Sequence, residues 1–137
     1  MTGFTQPKLH TIGFVVRDMP GSMDFYHRLG LQIPDGEEHS PHVEYESAHG
    51  YSIGFDSEAV VKATDDHWRE PSGSARVNLQ FQLETLQQVD ETYARVIAAG
   101  AGVHAPPWDA FCGQRFACVT DPDGNVVSLF ADLPGQG

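Results

Sequence analysis

Apolar and polar residues alternate most regularly in the second half of the chain. Over residues 77–83 each odd position is apolar and each even position is an amide, which is typical of a strand buried on one face. Thr85 and Gln88 follow with the spacing of a capping box, and an apolar stripe with helical periodicity continues to Gly100. The stripe consists of Leu86, Val89, Tyr93, Val96 and Ile97. The pattern predicts a strand followed by an amphipathic helix that packs on the apolar face of that strand.

The first half of the chain shows the same order of elements. Residues 9–16 are apolar and β-branched enough for a strand, Asp18 is suited to cap a helix, and Gly30 is suited to end it. Further strands are predicted near residues 42–47 and 51–56, and a second pair at residues 114–120 and 126–131. The last two strands are joined by the turn Asp-Pro-Asp-Gly-Asn at residues 121–125. The order βαβββ is therefore expected twice.

These patterns predict one α+β domain over residues 8–137. Module one is residues 8–57, module two is residues 75–133, and residues 58–74 have the composition of a linker. Since each helix covers one face of its strands, we expect the opposite faces to form a curved sheet around a ligand groove.

Composition and charge narrow the classes of partner. The 137 residues suit a single domain, and 8 Lys and Arg against 19 Asp and Glu give a net charge of −11. Such a chain repels nucleic-acid phosphates and anionic lipid, so we expect no nucleic-acid partner and no membrane association. The first residues lack the features of a signal peptide, and the spacing of Cys112 and Cys118 fits neither a redox pair nor a zinc site. A cytoplasmic protein with reduced thiols is the expectation.

Alternation along the strands selects the residues that would line the groove. Asn78, Gln80 and Gln82 face away from the second helix, and Thr11 faces the groove from the first strand. Three carboxylates, Glu44, Glu46 and Asp56, either form a wall that suits a cationic guest or belong to an ordinary solvated face.

Aromatic residues and one arginine complete the candidate site. Trp68 and Trp108 lie in segments near prolines and either stack on a flat ligand or cover the edge of the core. Phe111 is a third candidate for stacking. Arg115 either pairs with a groove carboxylate or contributes only to solubility.

Two segments resemble a known family. Residues 17–31, which contain Arg-Asp-Met, Phe-Tyr and Leu-Gly-Leu, and residues 121–127, with the sequence Asp-Pro-Asp-Gly-Asn-Val-Val, resemble the vicinal oxygen chelate superfamily. This superfamily includes glyoxalases, extradiol dioxygenases, fosfomycin-modifying enzymes and bleomycin-resistance proteins. The resemblance covers about residues 9–132, and it implies a divalent metal held by the first and last strands of the two modules.

The positions that match the metal ligands of the family are occupied here by weak donors. They are Thr11, Gly54, Asn78 and Ser128, whereas divalent metals are usually bound by His, Asp, Glu or Cys. We therefore expect no metal and no cofactor. The resemblance then points to the drug-binding branch, whose members are homodimers with grooves at the interface.

The sequence leads to one main hypothesis and two alternatives. The main one is a metal-free protein that sequesters a planar or cationic natural product or peptide antibiotic, bound by the aromatic, amide and acidic residues above together with Ser128. The first alternative is a metal-dependent lyase or dioxygenase that uses His10, His42 or His49 as altered ligands. The second is a metal-free cyclase or isomerase with groove carboxylates as general bases.

Overall fold

The computed structural model describes residues 5–135 and confirms the α+β class. The elements in chain order are β1 (Thr11–Val16), α1 (Met19–Leu29), β2 (His42–Glu46), β3 (Ser52–Ser57), α2 (Glu58–Thr64), β4 (Asn78–Gln82), α3 (Leu86–Ala98), β5 (Gly102–Ala110), β6 (Gln114–Thr120) and β7 (Val126–Asp132). Strands form one sheet in the order β1-β3-β2 and a second in the order β4-β7-β6-β5. Within residues 5–135, no helix has the length and apolar character needed to cross a membrane.

Both long helices begin and end at the predicted signals. The Asp18 carboxylate accepts the Gly21 N–H at 3.2 Å, and α1 ends at Gly30, whose φ of +113° is in the left-handed region that favours glycine. At α3 the Thr85 hydroxyl accepts the Gln88 N–H at 3.1 Å, and the Gln88 side chain accepts the Thr85 N–H at 3.2 Å. The capping box is therefore confirmed.

The core lies between the helices and one face of each sheet. The α3 stripe packs on β5, β6 and β7, with Val89 and Val96 almost fully buried. Tyr26 of α1 packs against Phe55 of β3 with ring centroids 4.9 Å apart.

The two modules are joined through the turn at residues 121–125. The Tyr26 hydroxyl donates to Asp121 Oδ2 at 2.7 Å, and the Arg17 backbone N–H donates to Asp123 Oδ1 at 3.1 Å. Burial, followed by the charge of Asp121, raises the pKa of Tyr26 well above its ordinary value. Burial also raises the pKa of Asp123. Through these hydrogen bonds the turn of module two is connected to α1 and to Arg17 of module one.

Strand register places the two modules in equivalent arrangements. β1 pairs in parallel with β3 so that Thr11 lies opposite Ser52, and β4 pairs in parallel with β7 so that Asn78 lies opposite Val126. Gly54 is two residues beyond the partner of Thr11, and Ser128 is two residues beyond the partner of Asn78. The four positions selected from the resemblance are therefore matched in register.

Module one has one strand fewer than predicted. Its described residues follow the order βαββ, and residues 30–41 form turns and irregular structure instead of a strand. Pro34 and Pro41 lack the N–H that a sheet ladder requires, and Gly36 has a φ of +83°. The expectation of a complete βαβββ order holds for module two alone.

The positions of two elements, α2 and β5, were not predicted. Residues 58–64 of the predicted linker form α2, capped by the Ser57 hydroxyl, which accepts the Val60 N–H at 3.3 Å. The segment before Phe111 is not a loop, because it forms β5. β5 tolerates Pro106 and Pro107 because it is an edge strand with register shifts on both sides of Ala105.

Candidate functional site

A concavity of about 540 Å³ lies on the face of the second sheet that is turned away from α3. Alternation along β6 explains its position, since Ala117 and Val119 are fully buried while Phe116 and Cys118 face the opposite side. We call this concavity the aromatic pocket. Its lining residues are Asn78, Gln80, Trp108, Asp109, Ala110, Phe111, Phe116, Cys118 and Ser128.

Three stacked rings cross the sheet at this face. Trp108 of β5 stacks on Phe116 of β6 with centroids 5.7 Å apart and planes at 29°, and Phe116 stacks on Phe130 of β7 at 5.4 Å and 25°. The outermost ring, Trp108, is 43% exposed, and Phe111 is fully exposed beyond it. The row therefore offers an apolar surface that runs from the half-buried Phe130 to the exposed Trp108.

Phe116 and Phe130 were missed at the level of sequence. Two-residue periodicity contained the signal, because Phe130 is two positions after Ser128, a residue predicted to face the groove. The same alternation places Phe116 on one face with Cys118. Their stacking could not be predicted, because it depends on the pairing of β5, β6 and β7.

A polar chain forms the other side of the aromatic pocket. Cys118 Sγ and Ser128 Oγ are 3.2 Å apart, and Ser128 Oγ donates to Asn78 Oδ1 at 3.1 Å. Ser128 is only 2% exposed, so this chain begins in the core and ends at an amide on the surface of the pocket.

Arg115 pairs with two carboxylates at the rim of the pocket. Its Nε donates to Asp109 Oδ1 at 2.7 Å and its Nη1 to Asp90 Oδ2 at 2.9 Å. The hydrogen bond from Arg115 lowers the pKa of Asp109. Arg115 thus pairs with Asp90 and Asp109 and not with the predicted groove carboxylates Glu44, Glu46 and Asp56, and it is not part of the pocket lining.

A separate cluster lies on the first sheet. His42 Nδ1 is 2.5 Å from Asp56 Oδ1, and His42 Nε2 is 3.1 Å from Glu44 Oε1. Hydrogen bonds to Asp56 and then to Glu44 raise the pKa of His42. A Cβ at Gly54 would lie 3.5 Å from His42 Cε1, an ordinary contact, and 3.2 Å from Thr11 Cγ2, so the missing side chain leaves room for the Thr11 methyl group. We call His42, Glu44 and Asp56 the acidic cluster.

The structure brings together only some of the predicted site residues. Those that line the aromatic pocket are Asn78, Gln80, Trp108, Phe111 and Ser128. Those outside its lining are Thr11, Glu44, Glu46, Asp56, Trp68, Gln82 and Arg115. Within the described chain, the lining of this pocket comes from module two alone.

Trp68 is held in place by its own segment. The backbone N–H of Trp68 donates to the backbone carbonyl of Asp65 at 3.3 Å, and Lys62 Nζ lies 5.6 Å from the centre of the indole ring. It lines a different depression, together with Arg69 and Glu70. Trp68 and Trp108 thus line two different depressions, and their contact with one guest stays a prediction.

The donors at the family ligand positions do not fit a divalent metal ion. Thr11 and Ser128 offer hydroxyls, Asn78 offers an amide oxygen that already accepts from Ser128, and Gly54 offers no side chain. Among residues 5–135, no group of three or more His, Cys, Asp and Glu side chains is arranged to hold a metal.

Two of the three histidines of the altered-ligand alternative, His10 and His42, are also engaged. His10 Nδ1 is hydrogen-bonded to Thr11 Oγ1, and both ring nitrogens of His42 contact carboxylates. A ligand nitrogen must offer its lone pair to the metal, so metal binding would first have to break these contacts.

Comparison with known proteins identifies the fold and the family. The model of the Glyoxalase/Bleomycin resistance protein/Dioxygenase superfamily matches residues 8–129. No curated protein matches the chain.

Solved structures with the same fold have low sequence identity. A glyoxalase/bleomycin resistance protein/dioxygenase family enzyme from Burkholderia phytofirmans PsJN is 23% identical with a TM-score of 0.79, covering 93% of this chain and 100% of its own. A glyoxalase-related enzyme from Fulvimarina pelagi is 18% identical with a TM-score of 0.77, covering 93% and 89%. At these identities the structures establish the fold alone. Because the family model spans most of its length, the chain belongs to the Glyoxalase/Bleomycin resistance protein/Dioxygenase superfamily.

Proposed function

We propose that this protein binds a planar natural product or peptide antibiotic without a metal and thereby sequesters it. The observation that carries the proposal is the stacked row of Trp108, Phe116 and Phe130, which is open to solvent on a concave face. Stacking of a flat ring on an aromatic side chain contributes about 1–3 kcal/mol per ring in nucleic-acid sites. Two such contacts, with hydrogen bonds from the amides, support micromolar affinity.

The distribution of charge suggests how the guest is oriented. Asp109 is the charged residue in the lining of the aromatic pocket, and Arg115 already pairs with it. The pocket therefore suits the uncharged planar part of a guest. A cationic part fits better at the acidic cluster, where one histidine is the partner of two carboxylates, whereas the two carboxylates at the rim both contact the guanidinium of Arg115, which is always charged.

A homodimer is part of this proposal. The aromatic pocket receives no lining residue from module one of its own chain, and its rim is open. A second copy of the chain would cover the rim and supply the acidic cluster to the same guest. This arrangement accounts for predicted site residues that lie on two separate sheets.

Tryptophan fluorescence tests the proposal directly. A Trp68→Phe variant leaves Trp108 as the sole tryptophan, and we expect metal-free bleomycin to quench its emission in the presence of a chelator. Bleomycin is a suitable probe because it joins a planar ring system to a cationic tail. Trp108→Ala should weaken binding, measured by equilibrium dialysis, by about ten-fold or more, in line with the loss of one stacking contact.

Two results would contradict this function. One is an unchanged emission of Trp108 with bleomycin and with other planar antibiotics, while the protein is folded by circular dichroism. The other is a stoichiometric zinc, iron or manganese ion in the purified protein together with catalytic turnover, which would favour the metal-dependent enzyme.

A further inference from the structure

We infer that Asn78 selects guests whose planar ring carries a hydrogen-bond acceptor, either a ring nitrogen or a carbonyl oxygen, at the edge facing this residue. The inference rests on the proposed function, because it concerns a guest stacked in the aromatic pocket. It assigns to Asn78 the role of a specificity-determining donor. It assigns to Ser128 the role of a positioning residue.

The hydrogen bond from Ser128 orients the Asn78 amide. A serine hydroxyl has a single hydrogen, and Ser128 uses it to donate to Asn78 Oδ1 at 3.1 Å. The 3.2 Å contact between Ser128 and Cys118 must then be donated by the Cys118 thiol. The proton order is therefore Cys118 to Ser128 to Asn78, and the oxygen of the amide is the occupied end.

The opposite end of the amide remains available to a guest. No described side chain or carbonyl accepts from Asn78 Nδ2, while the residue lines the aromatic pocket beside Gln80. Because Oδ1 accepts from Ser128, Nδ2 is the end of the Asn78 amide that is left to donate to a guest.

Other polar groups of the lining do not impose the same selection. Asp109 is occupied by Arg115, and the Cys118 thiol is occupied by Ser128. Gln80 has no side-chain partner among residues 5–135, so its amide can turn either end toward a guest. Asn78 is therefore the group in the pocket that distinguishes an acceptor from a donor.

A matched pair of soluble probes tests this selection on the full chain. The probes are an aminomethyl-quinoline and an aminomethyl-naphthalene substituted at equivalent carbons, which differ only in the ring nitrogen. Binding is followed by nitrogen-15 NMR at near-neutral pH, where the quinoline nitrogen is unprotonated. We expect both probes to shift the Trp108 indole signal. The quinoline should bind about two- to ten-fold more tightly and also shift the Asn78 side-chain amide, as expected for one added neutral hydrogen bond.

Two variants separate selection from stacking. Asn78→Asp replaces the donor by an oxygen of the same shape, so it should abolish the preference for quinoline; its carboxylate attracts the ammonium group of both probes alike, and the readout is therefore the ratio of the two affinities. Ser128→Ala frees the amide to rotate and should reduce the preference while leaving the naphthalene-induced shift of Trp108 in place. A Trp108 indole shift on addition of the naphthalene shows that each variant is folded.

The outcomes distinguish this inference from the proposed function. Equal affinity of the two probes for the unmodified protein overturns the role of Asn78 and leaves aromatic binding intact. A quinoline preference that survives in Asn78→Asp overturns it as well. If neither probe shifts the Trp108 signal, both the inference and the aromatic binding site are wrong.

Discussion

The ionisation of His42 is changed by hydrogen bonds to Asp56 and Glu44 on an open sheet face. Its pKa is raised, so protonated His42 stabilises the folded state. This contribution is fully present below the unfolded pKa of about 6.5 and is lost as the pH rises through the higher folded value. Because the side chain is 47% exposed, we expect less than about 1 kcal/mol after solvent screening.

The test compares the free energy of unfolding in urea for the unmodified protein and His42→Gln. The advantage of the unmodified protein should be larger at about pH 6 than at about pH 8. Asp56→Asn should lower the imidazole pKa measured by NMR titration. A difference in stability that grows as the pH rises would contradict this account.

Removal of the Tyr26 hydroxyl should destabilise the protein. The hydroxyl is buried and donates to Asp121 at 2.7 Å, and Tyr26→Phe leaves that carboxylate with one donor fewer. We expect a loss of about 1–3 kcal/mol in the free energy of unfolding. Tyr51→Phe is the matched control, because Tyr51 is 38% exposed, and its stability should change by less than about 0.5 kcal/mol. Equal losses in both variants would show that the buried bond contributes nothing specific.

At the residue level the sequence predicted positions better than contacts. Thr11, Gly54, Asn78 and Ser128 occupy matched places in the two modules, as the register count required. The hydrogen bond between Ser128 and Asn78 was not predicted, because it joins residues 50 positions apart. The close approach of Gly54 to the Thr11 methyl group likewise depends on the pairing of β1 with β3.

Among the elements, α3 depends most clearly on a local signal. Thr85→Ala removes the hydroxyl that accepts the Gln88 N–H, so it should lower the free energy of unfolding by about 1 kcal/mol. Thr85→Ser retains the hydroxyl and should recover most of the loss. Urea unfolding followed by circular dichroism measures both. A Thr85→Ser variant as unstable as Thr85→Ala would mean that the methyl group, not the cap, is responsible.

The helices that combine a cap with an apolar stripe were predictable from the sequence, whereas the elements that lack a periodic apolar pattern were not. Capping residues and apolar stripes give the bounds of α1 and α3 closely. α2 has no buried residue, so no apolar stripe marks it. β5 contains two prolines and forms because β6 pairs with it, which no pattern within the segment could indicate.

For the whole molecule, the arrangement of the modules decides which residues meet. The fold class follows from element order, whereas the separation of Trp68 from Trp108 follows from the path of residues 58–74, which carries no periodic signal. The acidic cluster and the aromatic pocket were therefore predicted as one groove although they lie on different sheets.

The proposed homodimer is tested by light scattering after size-exclusion chromatography. We expect a mass of twice 15.0 kDa at micromolar concentration. Mixing Trp108→Ala chains with chains that carry Glu44→Gln and Asp56→Asn should restore part of the antibiotic binding, because one of the two sites in a mixed dimer is then intact. A monomer that binds with full affinity would contradict the shared site.

The ion pair between Arg115 and Asp109 has a consequence for ionic strength. Because Arg115 pairs with Asp109 and the guest itself carries no charge, affinity for an uncharged planar guest should stay nearly constant when salt is added. A guest that reaches the carboxylates around His42 should bind more weakly as the Debye length shortens from about 10 Å at 0.1 M to about 3 Å at 1 M. A single salt titration thus reports which of the two faces a compound occupies.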